Sequence, residues 1–144
     1  MSAFLLDVSV LIALVREDHS AHKVTKRWFR HLDGRHWATC PLTEAGFVRI
    51  ISNPGFLERP PEVNEAILML RALTILPGHQ FWTMDVGFAE AIKGMEAKLF
   101  GHQQVTDAYL LGLAIRKKGK LATLDRGILT LAGAELSNNL EIIG

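Results

Sequence analysis

VTDAYLLGLAIRKKGKLATLDRG, residues 105–127, reads as a helix, a basic stop, a short strand and an acid in succession. Thr106 is placed to cap a helix over Asp107–Lys118, and Gly119 to terminate it. Leu121–Leu124 is a continuous apolar run of strand length, which argues a strand buried on both faces. Asp125 follows it directly. The N-terminal run FLLDVSVLIAL, residues 4–14, has the same logic in reverse order. Ala3–Asp7 reads as a short buried strand ending in an acid, and Val8–Val15 as the helix that leaves it.

Between these anchors, strands alternate with helices. Asp18 or Ser20 can cap a helix through about Leu32, whose Val24, Trp28 and Leu32 make one apolar stripe. Gly34 is placed to end it. Trp37–Cys40 is a strand. Pro41 and Thr43 open a helix carrying Glu44, Phe47, Val48 and Ile51, stopped by Asn53-Pro-Gly. Pro60 and Pro61 start another, with Val63, Ile67, Leu70 and Leu73 on its inner face. Gly78–Met84 is a strand candidate, Asp85 caps a helix to about Phe100, and Gly101 and His102 fall in a loop. Leu140–Ile143 is the last strand. This alternation predicts one α/β domain over residues 1–144 with a mainly parallel central sheet flanked by helices.

In such sheets the functional crevice lies beyond the carboxyl ends of the strands. Asp7 and Asp125 both occupy strand ends, while Glu44 and Asp107 sit at the starts of apolar helices. Brought together, four carboxylates repel. At roughly 4 Å and an effective dielectric near 20, each pair costs on the order of 4 kcal/mol. Protonation or a divalent cation relieves this. The pattern therefore suggests a hard-metal site built of oxygen ligands.

Composition sets the remaining bounds. Among 144 residues, 49% are hydrophobic and 22% charged, which suits one globular domain rather than a disordered chain. The net charge of +1 gives no global attraction to nucleic acid or membrane, so a polyanion needs a local patch. A single cysteine, Cys40, excludes an intramolecular disulfide and a cysteine zinc cage. The apolar N-terminus lacks a basic leader and is broken by Asp7. It is also shorter than the roughly 20 residues of a membrane span. A soluble, cytoplasmic protein with no membrane association is expected.

These motifs resemble the PIN-domain ribonucleases, and most closely the VapC toxins of bacterial toxin–antitoxin pairs. LLDVSVLIAL is similar to the family's opening motif and DHSAHKVTKRWF to the helix after it. TEAGFVRIISNP is similar to the second motif, and VTDAYLLGLAIRKKGKLATLDRG to the third and fourth run together. Val8 departs mildly from the Thr or Ala more usual after the first acid. The resemblance implies a three-layer sandwich and an acidic quartet, Asp7, Glu44, Asp107 and Asp125, binding Mg2+ or Mn2+. It implies supporting hydroxyls at Ser9, Thr106 and Thr123. It further implies hydrolysis of RNA by a metal-activated water, leaving a 5′ phosphate and a 3′ hydroxyl. Transfer or ribosomal RNA as substrate, a VapB-type antitoxin and a homodimer complete the implied partners.

Each residue also has an ordinary structural role open to it. The acids suit turns and first helical turns, and the hydroxyls suit local caps. Arg49, Arg126 and Arg16 lie beside acidic motifs and are the candidates for RNA phosphate. Arg116–Lys120 reads as a solvated helix end. His19 and His22 read as a turn, His102 as a loop residue, and the three tryptophans as core or interface. Two other functions compete. One is a non-catalytic module in which the acids only stabilise the fold. The other is an aspartate-based phosphatase, which would need an Asp where Ser9 stands.

Overall fold

A computed structural model describes residues 2–33 and 35–144; the helix stop expected at Gly34 lies outside the described residues. Five strands, β1 (Phe4–Leu6), β2 (Trp37–Thr39), β3 (His79–Phe81), β4 (Lys120–Thr123) and β5 (Leu140–Ile142), form one entirely parallel sheet in the order β3-β2-β1-β4-β5. Parallel pairing requires helical crossovers and covers both faces. The described residues supply seven helices: α1 (Val8–Val15), α2 (His22–Arg30), α3 (Pro41–Ile51), α4 (Val63–Thr74), α5 (Phe88–Ala91), α6 (Val105–Arg116) and α7 (Ile128–Ala132).

Strand alternation divides the core into two apolar layers. Phe4, Leu6 and Trp37 point to one face and pack with α1 to α4. Ala3, Leu5, Ala38 and Leu121 point to the other and pack with α5 to α7. The result is the expected three-layer sandwich. The middle strand, β1, pairs with β2 on one side and β4 on the other. The chain thus reverses its winding direction at the β1/β4 pair, the switch point where open α/β sheets form their crevice.

Helix α6 is the buried axis of the second layer. Residues 108–114 are all buried, so this helix is apolar all round. Gly112 is required there, because an added Cβ would lie 2.1 Å from the Ala91 carbonyl oxygen. Gly119 serves a close approach rather than a turn. Its Cβ would meet the Ala3 carbonyl oxygen at 2.5 Å and Trp82 at 2.9 Å, while Lys118 takes the left-handed conformation at φ 58°.

Several boundaries differ from expectation. α1 spans the expected residues. Neither Asp18 nor Ser20 caps α2, which starts after Ala21 because Asp18 is held by Arg16. On α4 it is Ala66 and Leu73 that are buried, and Val63 is exposed. The single helix expected over Asp85–Phe100 is instead the one-turn α5, a bend at Gly94 with φ 94°, and a 3-10 turn at Glu96–Lys98. α6 begins one residue before Thr106, with Gln104 in the capping position. α7 went unrecognised because five residues carry too little periodicity. Cys40 is fully buried, immediately before Pro41, and its N–H donates to Thr43 Oγ1 at 3.0 Å. Among the described residues, no helix is long and apolar enough to cross a membrane.

The α5–α6 contact leaves no room for a methyl group. Gly112→Ala is expected to lower unfolding stability by about 2–3 kcal/mol in urea denaturation. Gly101→Ala, where nothing stands within 4 Å of the added carbon, should stay within about 0.5 kcal/mol of wild type.

Candidate active site

Asp7 leaves β1 and caps α1. Its Oδ1 accepts from Ser9 Oγ at 2.6 Å and from the Val10 N–H at 3.0 Å. Its Oδ2 accepts from the Thr123 hydroxyl at the end of β4. The carboxylate is only 6% exposed, and burial raises its pKa above the ordinary Asp value, against the lowering effect of these three hydrogen bonds. Thr123 Oγ1 in turn accepts from the Asp125 N–H at 3.0 Å. One hydroxyl therefore ties both strand ends together. Asp125 itself is exposed, and its Oδ1 accepts from the Gly127 N–H at 2.8 Å.

Asp107 stands in the first turn of α6, one residue before the buried run. Its carboxyl accepts none of the hydrogen bonds found among the described residues. Desolvation raises its pKa to about 6, with the charges of Asp7 and Asp125 adding to the effect. Asp7, Asp107 and Asp125 line one cleft of about 410 Å³ together with Ser9, Thr106 and Arg49. Asp107 and Asp125 also line an adjoining groove of about 550 Å³ that runs past Phe100, Gln103 and Gln104. The acids therefore sit where two depressions meet.

The fourth acid is placed differently. Glu44 is in the first turn of α3, but its Oε2 accepts from Thr39 Oγ1 at 2.7 Å and it does not line the cleft. Three of the four expected acids thus line the cleft, and Glu44 is not among its lining residues although its helix neighbours Leu42, Ala45 and Gly46 are.

Comparison with known proteins decides the family. The PIN domain model matches residues 4–134. The chain belongs to the PIN-domain family. Within it, the relatives are VapC proteins. Ribonuclease VapC39 of Mycobacterium tuberculosis is 42% identical over 132 residues, covering 92% of this chain and 95% of that protein. Ribonuclease VapC38 of the same species is 40% identical over 139 residues, 96% of each chain. Two solved structures share the fold. M. tuberculosis VapC20, described as a sarcin–ricin loop cleaving toxin, superposes with a TM-score of 0.64 at 14% identity, covering 91% of this chain and 95% of that one. FitAcB from Neisseria gonorrhoeae gives 0.63 at 17% identity, covering 98% and 96%.

The supporting residues of this VapC-family chain divide unevenly. Ser9 holds Asp7, so its hydroxyl is occupied and no second Asp stands there for phosphatase chemistry. Thr123 supports the first acid rather than the fourth, which it touches only through its backbone. Thr106 lines the cleft as an exposed residue within α6 and is neither the helix cap nor a partner of Asp107. Arg49 is exposed on the cleft wall, and none of the ion pairs among the described residues uses it. Arg126 is exposed beside Asp125, outside the cleft lining.

Arg16 corrects an expectation. Its guanidinium binds Asp18 through two nitrogens, at 3.0 and 2.8 Å, and the carbonyls of Glu58 and Arg59 at 3.0 and 3.4 Å. It clamps a loop with four of its five N–H donors, and its side chain is mostly buried in that contact. The Arg116–Lys120 run lies at the amino end of the strands, a helix length from the acids. There Arg116 pairs with Glu90 and Lys117 with Asp85. His19 and His22 bond locally to Ala21 N–H and the Ala13 carbonyl. Trp28, Trp37 and Trp82 are packed in or against the core.

Among the described residues, no group of three or more His, Cys, Asp or Glu side chains is arranged to hold a metal ion between them. Mg2+ does not need one. It keeps several waters and uses one or two carboxylates. An all-oxygen set with an unbonded carboxyl at Asp107, beside two further carboxylates, fits a hard dication.

The raised pKa of Asp107 sets a pH dependence in metal-free protein. The folded state holds this proton up to about pH 6, whereas the unfolded chain releases it near 3.8. The penalty is absent below the unfolded value, grows as pH rises through that window and is complete above it. Asp107→Asn should therefore gain stability over wild type between pH 4 and 7, by on the order of 1 kcal/mol after discounting solvent screening. Thermal unfolding in chelator across that range measures it, and parallel curves would contradict it.

Proposed function

We propose that this protein is a divalent-metal-dependent endoribonuclease, the toxin of a type II toxin–antitoxin pair. The observation that carries the reading is the unbonded Asp107 carboxyl, which feels the charges of Asp7 and Asp125 and lines both grooves. The grooves give a single RNA strand a course on either side of the acids. The VapC relatives support ribonuclease activity and a VapB-type antitoxin. The acceptor pattern supports Asp107 and Asp125 as direct holders of Mg2+ or Mn2+, with Asp7 as the fixed point behind them.

When bound, the metal supplies phosphate charge neutralisation and a coordinated water of lowered pKa. The protein's own contribution is positional. Ser9, the Val10 N–H and Thr123 lock Asp7 in one rotamer, so its charge needs no reorganisation during reaction. Asp107, whose raised pKa belongs to the metal-free site, would give up its proton on holding the metal. Arg49 at the cleft wall is placed to hold a phosphate by its forked donors. The bond from phosphorus to the 3′ oxygen breaks as the one from water forms, the attacking water passing a proton to solvent and the 3′ oxygen taking one from solvent, which gives a 5′ phosphate and a 3′ hydroxyl. Structured transfer or ribosomal RNA in the cytoplasm is the proposed substrate, and a homodimer the proposed toxin assembly.

Magnesium-dependent cleavage of purified RNA, with end analysis of the products, tests the reading. Asp107→Asn should lose on the order of a thousandfold in kcat/KM, equivalent to several kcal/mol. Wild type should also gain about 2.7 kcal/mol of stability at a hundredfold excess of Mg2+ over Kd, and the variant little of it. Full cleavage by the variant, or an equal metal-induced gain, would reject the site.

Arg49→Ala is expected to weaken RNA binding without changing Mg2+ affinity. The salt dependence of binding should become shallower by about one phosphate contact. Fluorescence anisotropy over a KCl series reads both quantities. An unchanged slope would move the phosphate contact to Arg126.

A further inference from the structure

Behind Glu44 runs a buried hydrogen-bonded chain that the three cleft acids do not share. Thr39 ends β2 and is fully buried. Its hydroxyl donates to Glu44 Oε2 at 2.7 Å and lies 2.8 Å from His79 Nε2 on the neighbouring strand. A hydroxyl has one proton. With that proton committed to the carboxylate, Thr39 Oγ1 must accept from His79, so the imidazole carries its hydrogen on Nε2. Burial lowers the His79 pKa, which favours the neutral ring. The ring is also pinned. His79 and Trp37 are direct partners in the β2–β3 register, and their rings lie 4.8 Å apart. Imidazole, hydroxyl and carboxylate therefore form a directed relay from the edge strand to the first turn of α3.

Such a chain has a specific physical effect. A Glu side chain at a helix start has several rotamers, and fixing one costs conformational entropy. A hydrogen bond from a buried hydroxyl to a charged acceptor is among the stronger ones and holds a single geometry. Because the His79 Nε2–H occupies one side of Thr39 Oγ1, the hydroxyl proton cannot turn toward the ring and stays on the Glu44 side. The remaining oxygen, Oε1, is left as the acceptor that Glu44 can offer outward.

We propose that Thr39 and His79 are positioning residues for Glu44, fixing its carboxylate at the strand-end rim so that it supports metal binding from outside the three-acid cleft. The proposal rests on the metal-dependent reading above. Neither Thr39 nor His79 touches metal or RNA in this scheme. Their effect would pass entirely through the Glu44 carboxylate, whose Oε1 accepts none of the hydrogen bonds among the described residues.

The test is Mg2+ titration by calorimetry on the full chain, with thermal unfolding to confirm that each variant folds. Thr39→Val, which keeps the shape and removes the hydroxyl, should weaken Mg2+ binding about tenfold. Thr39→Ser should restore it to within about twofold. His79→Gln, which keeps an N–H donor at similar reach, should bind more tightly than His79→Phe. The deciding comparison is a double-mutant cycle. In a Glu44→Gln background, Thr39→Val should produce no further loss. If Thr39→Val binds Mg2+ like wild type, or if its effect adds fully to that of Glu44→Gln, the relay is overturned. If Glu44→Gln is itself silent, the relay is overturned at Glu44. Asp107→Asn then separates the two readings, because its loss of Mg2+ binding would leave the three-acid site standing.

Discussion

The parallel pairing of β1 with β4 is the constraint on which the rest of this molecule depends. It places two strands from opposite ends of the chain side by side at the centre of the sheet. Their carboxyl ends then deliver Asp7 and Asp125 to one rim. Thr123 fastens that rim with a single hydroxyl, giving its proton to Asp7 and receiving the Asp125 N–H. The core would tolerate other residues at these strand ends. The charge arrangement would not, because a buried carboxylate without donors is strongly disfavoured.

The second layer adds an electrostatic tension to the rim. α6 is buried along most of its length, which fixes its axis and hence the position of Asp107. That acid receives no compensating donor among the described residues and feels two like charges. Asp7 is held by hydrogen bonds, Asp125 is exposed to solvent, and Asp107 accepts none of the hydrogen bonds among the described residues. Three residues of like chemistry thus acquire three roles from their surroundings alone.

The sequence reveals those parts of the fold that rest on local pattern. α1 and α6 are continuous apolar helices, and β1 and β4 are short apolar runs, so their positions follow from periodicity. The region from 85 to 100 does not, because its composition suits a helix while contact with α6 and the bend at Gly94 break it. The three cleft acids were legible as strand-end and helix-start residues. The orientation of Glu44 was not, since it depends on Thr39 and on His79, which only the β2–β3 pairing brings near. Arg16 misled for the same reason. Its partners at Glu58 and Arg59 come from a loop with no local relation to it, and proximity to Asp7 in sequence says nothing about where a long side chain turns.

Cys40 gives this rim an observable of its own. It is the single thiol of the chain, fully buried between Thr39 and Pro41. A thiol-reactive probe can reach it only when the end of β2 and the start of α3 separate. The rate of its modification therefore clocks the opening of that corner, without an added label and without denaturant. Any ligand that braces the rim slows this clock, so occupancy of the site becomes readable from a sulfur atom that takes no part in it.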